Sequence, residues 1–408
     1  MSETMTAAER EAVLEKAREL AKLFRELGPQ ADRDNTFAFG SIEPFRQSGL
    51  VALNVPKEYG GMGGDMLITS QVVAELSRGD SAIALAYNMH FITVALTLGL
   101  LDEDQKKQWL GRVVEGDIMF GPISEKRAGF SGLADMKAVP QPEGGYRIYG
   151  QKNWGTNCEA ADILISTVTI TDADGNMPKD FEQWVTNERA IVAEFKVDDN
   201  GQGDGIRIER TWDAMGMHAT GTHVIHFEGF YLPEENLGEE WRAGAFGVLE
   251  WAEILFASIY YGMQLRILDE ARKYLAKKNL GATFGAVVGA ETKTANIGHI
   301  AAGLGEIAVR CEVSRRVLWQ TCADLAGDTD DWPVLLRFPY ICIAKTTVAQ
   351  NVVHCSQRAL SLVGGSGYRR GTIFERCYRD AAASMFQPLN ADQTSSYIGE
   401  TMLQPDFA

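Results

Sequence analysis

The hydrophobic period of the chain changes twice, and those two changes limit what it can fold into more than any other feature does. Up to residue 119 apolar residues recur at helical spacing, from Phe120 the period falls to two, and from Phe246 the helical period returns and persists almost to the end. In the first part Thr6 and Glu9 make a capping box. Val13, Leu14, Ala17, Leu20, Phe24 and Leu27 then share one helix face up to Gly28-Pro29, where the sequence predicts the helix to stop. A short helix from about Ser41 to Gly49, a glycine-rich loop through VPKEYGGMGGDM, and helices over Leu67 to Leu76, from Asp80, and through Trp109 to Val114 complete an N-terminal α-helical domain over residues 1–119.

The runs YRIYG, ILISTVTI, AIVAEFKV, IRIER and THVIHFEGFYL are rich in β-branched and aromatic residues, and turn signals such as PEGG and ADGN separate them. No long helical run intervenes to carry a parallel crossover, which predicts a mainly antiparallel, barrel-like β domain over 120–240. Beyond it, helical runs through Tyr274 to Lys278, from about Ala290 to Leu325 and from Pro333 to Val363 carry Ala and Gly at many positions and predict a C-terminal four-helix bundle over 241–408. The expected fold class is a multidomain α+β protein.

Charge and cysteine usage narrow the function. A formal net charge of -16 repels phosphate backbones and anionic lipid, arguing against a nucleic-acid or peripheral-membrane role. Six scattered cysteines without a CxxC read as reduced thiols, and the charged, amphipathic N-terminus offers no secretory signal, so a cytoplasmic location is expected. Residues 81–101 carry no formal charge, but they include Asn88, His90, Thr93, Thr97 and Gly99 and predict a helix buried in protein instead of a membrane span. The histidines form no HExxH, so no metal site is expected. GGMGG and GGSGY lie between helices with no preceding strand, which excludes dinucleotide and P-loop fingerprints, and no GxSxG is present.

The stretch from Phe120 to Thr156 carries the ligand signal. A loop of small and polar residues, GPISEKRAGF, is brought back by a hairpin beside Trp154-Gly155-Thr156. A Trp opening into Gly and Thr offers a flat aromatic wall, a close backbone approach and a hydroxyl, which suits a planar heteroaromatic ligand with polar edges.

Seven strings in order then resemble the acyl-CoA dehydrogenase superfamily over nearly the whole chain: VPKEYGGMGG, ISEKRAG, GQKNWGTN, the stretch from Met215 to Gly238, LDEARKY, GGSGY and ERCYRD. The resemblance implies FAD as cofactor, with Ile123 and Ser124 at the pyrimidine edge of the isoalloxazine ring and Trp154, Gly155 and Thr156 along its other side. It also implies that GGSGY, with Gly364 and Gly365, lies against the FAD of a neighbouring subunit in a homodimer or homotetramer. The implied reaction is α,β-dehydrogenation of an acyl-CoA or other acyl thioester, with an electron-transferring flavoprotein as a possible acceptor.

The chain departs from the pattern at the base. No Tyr-Glu-Gly-Thr-Ser follows Arg379-Asp380; the closest match is Asp392-Gln393-Thr394-Ser395, which makes Asp392 a candidate base and Thr394 a candidate cofactor contact. Other members of the family place the base on the first helix of the C-terminal bundle, where this chain has Glu250 and Glu253 on one face and Glu253 is the second candidate. At the pyrophosphate and adenosine end, Lys277 or Lys278 stands in for an arginine, Ser361 for a glutamine and Phe130 for a serine. Two rival functions share the scaffold: a flavin monooxygenase or oxidase that dispenses with the glutamate, and a non-catalytic subunit that has lost base and cofactor.

Overall fold

The computed structural model describes residues 5–126, 133–277, 298–326, 334–387 and 389–403. Phe130, Lys278 and the expected helix start near Ala290 lie outside them.

Helix α1 (Ala7–Asp34) begins at the Thr6–Glu9 capping box. It does not stop at Gly28-Pro29 but runs on to Asp34 and ends at Asn35, a residue in the left-handed region. The last turn survives the missing proline N–H because tertiary partners hold it. Ala31 is buried, and Asp32 receives Nδ1 of His218 on its carbonyl (2.8 Å) and Nη2 of Arg379 on its carboxylate (2.7 Å). Gly28 sits so close to Asp80 that a Cβ would overlap that carboxylate. Helices α2 (Ile42–Ser48), α3 (Met66–Gly79), α4 (Ser81–Leu100) and α5 (Glu103–Glu115) follow, the last three capped by Asp65, Asp80 and Asp102. By length and composition α4 could cross a membrane, yet 83% of its apolar window is enclosed by the protein.

A short α6 (Phe181–Asn187) lies inside the β region. Beyond that region come α7 (Trp241–Lys277), α8 (Gly298–Leu325), α9 (Val334–Val363), α10 (Ile373–Ala381) and α11 (Ala391–Met402). The helices on the two sides of the β region share one core. Ser70 and Ser258 join hydroxyls at 2.7 Å, Ser77 donates to Ile259 O, and Gly262 lets α7 ride against the backbone of Ala74.

Among the described residues nine strands form one sheet in the order β6-β7-β8-β3-β2-β4-β5-β9, with β1 also paired to β4. They are β1 (Met119–Phe120), β2 (Lys137–Pro140), β3 (Tyr146–Gly155), β4 (Ile163–Ile170), β5 (Glu188–Glu194), β6 (Gln202–Gly203), β7 (Ile206–Glu209), β8 (His223–Leu232) and β9 (Leu237–Glu240). The sheet is mixed, because β1 and β2 both run parallel to β4. The mainly antiparallel expectation holds for six of the eight described strand pairings; it missed the two parallel ones because it assumed that a parallel crossover needs a helix. Here the crossover from β2 to β4 is a strand, β3, which lies on the far side of β2. Period two divides the central strands between two cores: Ile163, Ile165, Ala190 and Val192 face the helices, while Leu164, Val168, Ile191 and Ala193 join Ile148, Ile206, Ile225 and Phe227 in the core of the β region.

Candidate functional site

β1 pairs with residues 163–164 of β4 and β2 with residues 169–170, so the chain leaves the sheet after Phe120 and rejoins it at Lys137 along one edge of one strand. The excursion carries Ile123 and Ser124, and side chains of the strands beneath it hold it. Ser166 donates to Pro122 O (2.6 Å), Asn153 N donates to Ser124 O (2.7 Å), and Nζ of Lys152 donates to Ile123 O (3.2 Å) and to Thr167 Oγ1 (2.7 Å). The same ammonium pairs with Glu125, whose carboxylate also accepts the N–H groups of Asp135 and Met136 (2.6 and 3.3 Å). Both side chains are enclosed, at 0% and 4% exposure. Burial pushes the Lys152 amine down from its ordinary value and the Glu125 charge opposes that shift.

Two residues beyond Lys152 the backbone turns left-handed at Trp154, with φ of 57°, and the indole stands 55% exposed. A non-glycine residue held at positive φ with its large apolar side chain in solvent points to a ligand surface. Trp212 meets it edge to face, with ring centroids 5.4 Å apart. Trp212 is itself fixed by its Nε1–H donating to Met217 O (2.9 Å) and by Asn35 Nδ2 donating to its carbonyl (2.7 Å). Gly155 is packed so closely that a Cβ would press on Ile225 and His223 O. Thr156, Thr222 and Thr220 link hydroxyl to hydroxyl (2.9 and 2.7 Å), and Thr220 ends the chain by donating to Met217 O (2.9 Å). Each hydroxyl has one hydrogen, so with all three bonds made Thr156 is the donor to Thr222 and its oxygen is left as an acceptor. Beside it the buried Asn157 amide has neither N nor O paired. These residues fit the planar, polar-edged cofactor that the sequence implies.

A second polar group lies among the C-terminal helices. Glu253 on α7 is 2% exposed; its Oε1 accepts Leu389 N (2.6 Å), and its Oε2 lies 3.7 Å from Nζ of Lys345 on α9 without a hydrogen bond. Lys345 donates to the carbonyls of Gln387 (2.8 Å) and Leu389. Burial pushes the Glu253 carboxyl up to about 7, with Lys345 pulling the other way, and burial lowers Lys345. The phenol of Tyr260, seven residues along α7, is buried and unpaired. Glu250 is bound by Arg337 at 2.5 Å, and burial raises its pKa.

The structure brings Ile123, Ser124, Trp154, Gly155 and Thr156 together and encloses Glu253 and Thr394 among the C-terminal helices, with the Thr394 hydroxyl unpaired. Asp392 stands exposed in the first turn of α11, and Gly364 and Gly365 are exposed in the turn after α9. The sequence did not flag Trp212, the threonine chain, Lys152 or Lys345. The ERCYRD string serves the architecture of the site. Asp380 accepts Met217 N (2.6 Å) and Arg376 pairs with Asp80 (2.9 Å), tying the loop that carries Trp212 to α10 and α4. Among the described residues no cluster of three or more His, Cys, Asp or Glu is placed to hold a metal ion.

Residues 7–117 match the acyl-CoA dehydrogenase N-terminal domain and residues 247–386 the acyl-CoA dehydrogenase C-terminal domain. A mitochondrial short-chain specific acyl-CoA dehydrogenase of Mus musculus is 27% identical over 365 residues, 87% of this chain and 80% of that protein. A dibenzothiophene monooxygenase of Mycolicibacterium goodii is also 27% identical, over 274 residues, 64% of this chain; the match spans 62% of that relative, less than two thirds of its length. Among solved structures, butyryl-CoA dehydrogenase from Megasphaera elsdenii superposes with a TM-score of 0.83 at 21% identity, covering 99% of this chain and 100% of that one. FMN-bound TdsC from Paenibacillus sp. A11-2 does so with a TM-score of 0.83 at 22% identity, covering 96% and 97%.

Proposed function

Because the chain belongs to the acyl-CoA dehydrogenase family, we propose that it is an FAD-dependent oxidoreductase whose reaction is the α,β-dehydrogenation of an acyl-CoA or other acyl thioester. Ile123 and Ser124, together with Trp154, Gly155 and Thr156, would hold the flavin ring, which would supply the hydride acceptor. The observation that carries the choice of reaction is Glu253. An enclosed carboxyl with one unpaired oxygen and a pKa pushed up to about 7 has the proton affinity a general base needs near neutral pH. It removes the α-proton while the Lys345 ammonium, 3.7 Å away, favours its charged form. To reach substrate the carboxylate exchanges its bond with Leu389 N, so opening of the 387–389 turn is part of this reading. Electrons then pass to an electron-transferring flavoprotein, and the working unit is a cytoplasmic homodimer or homotetramer.

A second reading, a flavin-dependent monooxygenase, draws on the same site. Asp392 faces solvent and Glu253 is enclosed with one oxygen bonded to Leu389 N, so in this conformation neither candidate carboxylate meets a substrate unless the 387–389 turn opens, and the monooxygenase reading asks for no base at either. Anaerobic addition of acyl-CoAs of graded length to the FAD-loaded protein separates the two. Bleaching of the flavin band with release of enoyl-CoA is expected. No bleaching with any acyl-CoA, together with oxygen uptake that depends on reduced flavin and an organic substrate, transfers the chain to the second reading. A protein that takes up no flavin on titration is the non-catalytic subunit.

A further inference from the structure

We infer that the buried Lys152–Glu125 pair is a positioning device for flavin: it fixes the loop that meets the ring and thereby sets flavin affinity, without itself touching the cofactor. The inference rests on the flavin reading above. Lys152 has three N–H donors and all three are used, on Ile123 O, Glu125 and Thr167 Oγ1. The next residue, Asn153, binds Ser124 O through its backbone N–H, and the one after it is Trp154. Two consecutive carbonyls of the loop are thus held by two consecutive residues of β3, and the third residue of that run is the aromatic wall. The two faces of the site are set against each other by one stretch of strand. Glu125 closes the far end, because its carboxylate also gathers the N–H groups of Asp135 and Met136 where the chain returns to the sheet.

Stability alone is a poor account of this arrangement, since a buried ion pair seldom stabilises a fold more than an apolar pair of the same volume. The pair is net neutral and enclosed, so it acts on a ligand through the position of the loop and not through charge. A core ion pair with no bearing on the site would leave flavin affinity untouched when it was replaced by neutral residues.

The test uses the full chain with FAD as the probe. The double variant Lys152→Met/Glu125→Gln removes both charges together, and folding is followed by circular dichroism and urea midpoint. It is expected to stay folded while its dissociation constant for FAD rises about tenfold or more and the vibrational structure of the bound flavin's visible band blurs. Thr167→Val, which keeps both charges and nearly the same volume, removes one of the three bonds and is expected to weaken FAD binding about threefold or more; it carries the test if the double variant does not fold. Wild-type affinity and spectrum in a folded double variant, or in Thr167→Val where that variant carries the test, overturns the inference and leaves the flavin reading standing. If the wild-type protein takes up neither FAD nor FMN, the flavin reading fails and the inference fails with it.

Discussion

Two buried lysine–glutamate pairs hold two loops in this protein, and they are built to different specifications. Lys152–Glu125 lies under the loop of the β region, with all three ammonium donors used and the carboxylate shared among the ammonium and two backbone N–H groups. Lys345–Glu253 lies among the C-terminal helices and holds the 387–389 turn, but its carboxylate keeps one oxygen unpaired and stands 3.7 Å from the ammonium. The first pair is complete and therefore rigid. The second has a spare lone pair and a carboxyl pKa near 7, the features of a group that can exchange a proton. Both are buried pairs that hold a loop, and how fully their hydrogen bonds are satisfied separates a scaffold from a candidate participant.

The largest effect that sharpens this contrast comes from breaking each pair at its lysine. Lys152→Met strands the Glu125 carboxylate at 4% exposure and is expected to cost about 3–5 kcal/mol in urea unfolding. Lys345→Met is expected to cost less, about 1–3 kcal/mol, because Glu253 already holds its proton near neutrality and can stay neutral without its partner. The cost at Lys345 should also be smaller at pH 6 than at pH 8.5. Equal costs at both lysines, independent of pH, would show that the two pairs do the same job.

Next in size is the pH dependence of Glu253. Its folded pKa of about 7 exceeds the ordinary 4.5, so between those values the folded protein binds more protons than the unfolded chain. The stability contributed by this carboxyl is therefore fully present below about pH 4.5, falls as pH rises through the window, and is gone above about 7. Glu253→Gln removes that slope. Relative to wild type the variant should gain about 2–3 kcal/mol between pH 5 and pH 8 by urea titration. Parallel pH profiles would show that Glu253 does not titrate in that window. In the enzyme the same variant should abolish flavin reduction by acyl-CoA while leaving FAD bound.

What could be read from sequence follows the range of the interactions. The α1 start was legible because a capping box needs only residues 6 and 9, and the three-part order was legible because period is local. The continuation of α1 through Pro29 was not, since it depends on Asp32 meeting Arg379, 347 residues away. The parallel β2–β4 pairing escaped for a similar reason: the order of strands across a sheet is not encoded in the period of any one of them. At the site, Trp154-Gly155-Thr156 could be recognised as a contiguous string. Trp212 could not, because nothing in ERTWDAMG says that its indole will meet another. Glu125 and Lys152 lie 27 residues apart and Glu253 and Leu389 136 apart, so their pairing appears only when the chain is folded.

The smallest expected effect decides what Asp392 does. It was a candidate base on the strength of Asp392-Gln393-Thr394-Ser395, but it stands exposed in the first turn of α11. There a carboxylate favours the helix N-terminus and little else. Its neighbour Thr394 points the other way, into the protein, with an unpaired hydroxyl, so the face of α11 turned inward is not the face that carries Asp392. For Asp392 to take a proton from a substrate between the β region and the helices, α11 would have to rotate or its first turn unwind. Asp392→Asn should therefore shift stability by no more than about 0.5 kcal/mol and leave anaerobic flavin reduction at the wild-type rate. A fall of about 10² or more in that rate with FAD still bound would give the base to Asp392. It would also remove the functional half of the contrast between the two pairs, leaving Glu253 as a second loop anchor beside Glu125.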